Sequence, residues 1–104
     1  MVAAMLKKEL LELCLLQQLS KGAEYGYELL RRLHGAFPDT QESAIYAILR
    51  GLCRDGCTRS FQGVTSEGPA RKYYELTPAG REKLLALLKE WRAMRDALAE
   101  LGIV

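Results

Sequence analysis

The strongest constraint on this chain is a stripe in its final stretch. After Thr77-Pro78, apolar residues fall at Leu84, Leu87, Trp91, Met94, Leu98 and Leu101, with spacings of 3, 4, 3, 4 and 3. That average of 3.5 is a heptad repeat, which keeps one narrow seam facing a partner helix. Thr77 suits the N-cap, and Pro78 suits the first helical position, where its missing N–H costs nothing. Gly102 provides the stop. A chain of 104 residues builds only a small core, so a long helix with such a seam gains from burying it against a second copy. The expectation is a homodimer. Leu6 and Leu10 of the first helix are assigned to the same contact as the seam residues, with Leu85 and Leu88 widening the stripe toward the body of the domain.

The preceding residues read as three shorter helices and a hairpin. The first helix spans Met5–Ser20, with Leu6, Leu10, Leu13 and Leu16 at helical spacing and Leu11, Leu15 and Leu19 broadening the face. A stripe this broad is buried on more than one side. Lys7, Lys8, Glu9 and Glu12 are assigned to its exposed end. A second helix, about Tyr25 to Ala36, buries Leu29, Leu30, Leu33 and Phe37 and is stopped by Gly35 and Pro38. The third runs from about Thr40 to Asp55, and Asp39 with Glu42 resembles a capping box. Its apolar face is Ile45, Ile48, Leu49 and Leu52; its outer face is Ser43, Ala44, Ala47 and Arg50, with Tyr46 at the border. Strand-like runs at Thr58–Gly63 and Ala70–Leu76 flank a loop at Val64–Pro69.

Charge is unevenly placed. Net charge is only +2, yet the segment from Arg50 to Lys72 carries five basic residues against two acids. A local cationic excess is the footprint expected for a polyanion. The longest apolar run, Leu13–Leu19, is interrupted by two glutamines, far short of the roughly 20 residues a membrane span needs. Nothing at the start resembles a signal peptide. Three cysteines, Cys14, Cys53 and Cys57, make an odd count that argues against a disulfide framework. The expected compartment is a reducing cytoplasm. Cys53 and Cys57 read as ordinary thiols and His34 as a helix-end residue, since structural zinc needs four ligands. The glycines form no phosphate-binding loop, and one histidine without a nucleophile motif makes no catalytic set. No enzyme activity, cofactor or metal is expected.

Helix, helix, helix, hairpin and long helix is the plan of a winged helix-turn-helix: mainly α with a small β-hairpin, residues 1–76 forming the winged unit and 77–104 the dimerisation helix, together one compact unit. A third helix with short outer side chains fits a major groove about 12 Å wide, which bulky side chains would hold away. The candidate DNA contacts are Gln41, Ser43, Ala44, Tyr46, Ala47 and Arg50 on that helix, and Arg71 and Lys72 on the wing.

Three segments carry a family resemblance. Tyr25-Gly26-Tyr27-Glu28-Leu29 resembles the start of the second helix in PadR-type regulators. The run from Glu42 to Arg50 is similar to their recognition-helix segment. The run from Arg71 to Arg81 is similar to their wing strand and following helix start, and is the most specific of the three. Ser43-Ala44 stands where the family usually has Gly-Thr, and Ala47 where it has Pro, so one hydroxyl contact is missing. The resemblance implies a DNA-binding repressor of the smaller branch. That branch dimerises through its last helix, and some members bind flat aromatic drugs between the two helices. Trp91 and Met94 are then the candidate walls for a small aromatic effector, and double-stranded DNA with a pseudo-palindromic operator is the expected partner. Because fold alone does not fix function, a protein-interaction module without DNA binding stands as the alternative, and a small-molecule carrier as a weaker third reading.

Overall fold

The computed structural model describes residues 2–63 and 71–104, with side chains from Lys7 onward. The loop read at Val64–Pro69, the Ala70 start of the second strand and the Leu6 side chain lie outside the described residues. The order is α1 (Val2–Leu19), β1 (Glu24–Tyr25), α2 (Gly26–Ala36), α3 (Glu42–Arg54), β2 (Thr58–Gly63), β3 (Arg71–Leu76) and α4 (Pro78–Glu100). The three strands form one antiparallel sheet in the order β1-β3-β2. The two-residue β1 extends the expected hairpin: Glu24 pairs with Tyr74 and Tyr25 with Tyr73.

The core is organised around α1. Leu11, Leu15, Leu16 and Leu19 are almost wholly buried, including the adjacent pair Leu15 and Leu16. Neighbouring positions point about 100° apart on a helix, so this burial requires packing on several sides. The sides are supplied by α2, α3, α4 and β3. Leu29 and Leu33 of α2, Ile45, Leu49 and Leu52 of α3, Tyr74 of β3 and Leu84 of α4 complete the cluster.

Several local expectations are corrected. Glu12 is buried, and Lys83 Nζ of α4 donates to its Oε2 at 3.2 Å. A buried carboxylate needs such a partner to offset its lost hydration. Leu85 is 63% exposed and faces away from the body of the domain. The second helix begins at Gly26 because Tyr25 belongs to β1, and Gly35 lies within that helix. The third helix is capped at Gln41, without a side-chain cap bond, in place of the Asp39 arrangement. Thr40 just before it is buried, and its carbonyl accepts from His34 Nδ1 at 2.8 Å.

Two helix ends have the same geometry. At Gly56, with φ +80°, the Cys57 N–H bonds Leu52 O at 2.8 Å and the Gly56 N–H bonds Cys53 O at 3.0 Å. At Gly102, also φ +80°, Ile103 bonds Leu98 at 2.9 Å and Gly102 bonds Ala99 at 3.0 Å. Both are Schellman closures, which need the left-handed conformation that glycine adopts without strain.

The start of α4 is fastened to the end of α3. Thr77 Oγ1 accepts the Gly80 N–H at 3.0 Å and donates to Gly56 O at 2.5 Å, while the Thr77 N–H bonds Cys57 O at 3.1 Å. Backbones approach so closely here that a Cβ on Gly80 would lie 1.9 Å from the Cys57 carbonyl oxygen. Gly80→Ala is therefore expected to lower folding stability by about 3 kcal/mol or more through overpacking against backbone. Thr77→Ala is expected to lower it by about 1–2 kcal/mol through loss of the cap. Urea unfolding of both variants checks the ranking, and a Gly80→Ala protein as stable as Thr77→Ala would contradict this packing.

Candidate nucleic-acid interface

Periodicity places the outer face of α3 in solvent. Gln41, Ser43, Ala44, Ala47 and Arg50 are exposed, while Ile45, Leu49 and Leu52 hold the opposite side in the core. Between its ends this face presents only a hydroxymethyl and two methyl groups, so a second molecule can approach the helix backbone closely. Tyr46 is half-buried at the edge, and the Arg50 guanidinium lies 5.9 Å from its ring centroid.

The cations of the wing are carried by β3. Arg71 and Lys72 are exposed, and each lies over an aromatic ring: Arg71 4.9 Å from the Tyr25 centroid, Lys72 5.6 Å from that of Tyr74. Neither they nor Arg50 forms an ion pair with a described residue. Arg59 differs, because its cross-strand partner Glu75 takes its Nε at 2.5 Å. Of the basic residues from Arg50 to Lys72, this leaves Arg50, Arg54, Arg71 and Lys72 in no ion pair with a described residue.

Alternation along β3 sends Tyr73 and Tyr74 to opposite faces of the sheet. Tyr74 enters the core, 2% exposed, where burial first, and then the neighbouring Tyr46 phenol, push its own phenol up to about 12. Tyr73 lies in one cross-strand row with Tyr25 and Phe61, at centroid distances of 5.9 and 5.8 Å. Tyr27, 52% exposed with Arg31 5.7 Å from its ring centroid, extends this aromatic surface onto α2. Sequence reasoning missed Tyr27 and Phe61 as surface features. The signal available was the two-residue alternation of Tyr25 and Tyr27, which straddles a strand and a helix.

The heptad residues fall into three environments. Leu84 is buried in the chain's own core and faces no partner. Leu10 and Leu87 are half-buried. They line a groove between α1 and α4 of about 160 Å³, completed by Leu13, Trp91, Met94, Glu9 and Glu90. Trp91 and Met94 are 39% and 44% exposed, Leu98 is half-buried, and Leu101 is 76% exposed. Contiguous exposed apolar side chains of this size mark a surface that something covers.

The thiols are separate. Cys53 accepts from Thr58 Oγ1 at 3.1 Å, Cys57 is buried, and burial pushes the Cys14 thiol up. Among the described residues no group of three or more metal-binding side chains occurs, and no helix is long and apolar enough to cross a membrane.

A three-stranded wing, a small-faced third helix and a long terminal helix define a winged helix-turn-helix protein. Comparison with known proteins agrees. The model of the PadR-like transcriptional regulator family matches residues 15–86. A PadR-like transcriptional regulator from Bacillus cereus has 32% identity and a TM-score of 0.82, covering 94% of this chain and 95% of its own. A Streptococcus transcriptional regulator has 30% identity and a TM-score of 0.82, covering 93% and 96%. An uncharacterised protein of Lysinibacillus sphaericus is 30% identical over 77 residues, which are 74% of this chain and 70% of that one. The chain belongs to the PadR-like family of transcriptional regulators.

The Tyr74 phenol makes stability depend on alkaline pH. Its folded-state value lies above the ordinary 10.0 at about 12, so the native state keeps a proton the unfolded state gives up. That contribution is complete below pH 10 and is lost as pH rises toward 12. Urea midpoints from pH 9 upward should fall more steeply for the wild type than for Tyr74→Phe; parallel curves would contradict the assignment.

Proposed function

We propose that this protein is a homodimeric DNA-binding transcriptional repressor released by a small planar aromatic ligand. The observation that carries the DNA reading is the outer face of α3. Ser43, Ala44 and Ala47 leave its backbone open to a major groove, with Arg50, Arg71 and Lys72 placed to meet phosphates or base edges. Gln41 and Tyr46 bound the same face.

Dimerisation follows from the apolar seam that one copy leaves open. Trp91, Met94, Leu98 and Leu101 pair with a second α4, and Leu10 and Leu87 flank that contact. Two recognition helices held this way stand about one helical turn apart, roughly 34–36 Å on B-DNA, and read a pseudo-palindrome. The groove at Trp91 offers an indole face on which a flat ring stacks. A ligand seated there, between the paired terminal helices, acts by favouring one separation of the two recognition helices over another, which requires different affinities for the two states.

Selection of bound sequences from random duplex DNA tests the DNA reading and should return a two-fold symmetric site. On that site, Arg71→Ala and Lys72→Ala are each expected to reduce the salt slope of binding by about one while weakening all sequences alike. Absence of any duplex binding at low salt would overturn the reading in favour of a protein-interaction module.

For the seam, Met94→Glu is expected to yield a monomer by light scattering and at least about tenfold weaker operator binding, because a desolvated unpaired charge is costly in an apolar contact. Planar dyes should quench Trp91 fluorescence in the wild type. A Met94→Glu protein that stays dimeric would contradict the seam, and no quenching by any dye would remove the ligand.

A further inference from the structure

Two cations stand beside the outer face of α3 that neither α3 nor the wing supplies. Lys7 and Lys8 are exposed in the early part of α1, and α1 packs against α3. Leu11, one helical turn beyond Lys7 on the same face, is 2% exposed and anchored in the core. That anchor fixes where the lysine stems leave the domain. An open groove of about 450 Å³ is lined by Lys7 and Lys8 from α1 and by Gln41, Ala44 and Ile48 from α3. A second groove, of about 200 Å³, brings Lys8 together with Ala47, Gly51 and Arg54. Lys8 therefore borders both. Ala44 and Ala47, the two methyl groups of the face proposed to read DNA, each share one of these grooves with it.

No described residue pairs with these two charges. Glu12, one turn beyond Lys8, is the expected i, i+4 partner, but its carboxylate takes Lys83 Nζ at 3.2 Å instead. Two further carboxylates line the grooves, Asp39 just before α3 and Asp55 just after it. Neither forms an ion pair with Lys7 or Lys8. A duplex that receives an α-helix in its major groove brings its charged phosphate backbone along the sides of that helix. Lysine is a compact charge on a flexible stem, so it meets a phosphate without needing a fixed geometry.

We propose that Lys7 and Lys8 are DNA-contacting residues: they take up backbone phosphates alongside α3, so that the first helix of the domain grips the duplex together with the recognition helix. The proposal rests on the DNA-binding reading above. Contacts of this kind position the domain and carry no base preference. They extend the cationic surface to a segment distant in sequence from the Arg50 to Lys72 excess.

The test is salt-dependent binding to a duplex that the wild type binds, using Lys7→Gln, Lys8→Gln and the pair. Lys21→Gln, an exposed site beyond the other end of α1, removes the same charge elsewhere and serves as control. All four positions changed are surface charges, and circular dichroism and sedimentation should show each variant folded and assembled as the wild type. The salt slope should fall by about one in each single variant and by about two in the pair, the change expected for one and two lost phosphate contacts. Affinity should drop on every duplex alike, with the preferred sequence unchanged. Lys7→Arg and Lys8→Arg should keep the wild-type slope, and so should Lys21→Gln. A pair variant with the wild-type slope, or a Lys21→Gln protein whose slope falls as much as that of the single α1 variants, would overturn the proposal and leave DNA binding standing. A wild type that ignores every duplex at low salt would overturn both.

Discussion

The architecture depends on one helix being buried on several sides. α1 supplies five of the leucines in the core, and α2, α3, α4 and β3 all pack against it. Among the described residues, α2 and α3 bring two and three buried apolar side chains, and β3 and α4 one each. Fully burying one such side chain is worth about 1.5–3 kcal/mol, so none of these short elements carries enough apolar surface to hold itself in place. Their mutual arrangement is therefore inherited from α1, and with it the angle at which α3 turns its outer face to solvent.

A second fastening sits where α3, β2 and α4 meet. Gly56 reverses the chain after α3, Thr77 bonds both Gly56 and Gly80, and Gly80 lets α4 touch the Cys57 backbone. This junction joins the face proposed to read DNA to the helix proposed to pair two copies. A shift of α4 in a dimer would be felt directly at the end of α3, because the contact is backbone on backbone with no flexible side chain between. Such a contact gives a physical route by which the ligand proposed for the Trp91 groove would act on the face proposed to read DNA.

Much of this was legible in the amino-acid sequence, for a local reason. The Ile45, Leu49 and Leu52 stripe of α3 and the Thr77-Pro78 start of α4 are set by residues within a few positions of one another, and the structure shows both. The features that escaped depend on distant partners. Glu12 reads as a surface acid until Lys83, 71 positions later, reaches it. β1 is two residues long and has no period of its own; only pairing with Tyr73 and Tyr74 makes it a strand. Leu84 and Leu85 are both apolar and adjacent, and only the position of α1 decides that one is core and the other exposed. For the interface, small side chains on α3 were visible as composition, whereas the row of Tyr25, Tyr73 and Phe61 joins three separate strands and has no sequence signature.

The central claim is that two copies, paired through α4, present two α3 faces to one duplex. Sedimentation velocity of the protein alone and with a selected duplex tests it most directly. The account predicts a dimer in isolation and a complex of two chains per duplex that dissociates as salt is raised. A protein that sediments as a monomer and leaves the duplex boundary unmoved at low salt would contradict it.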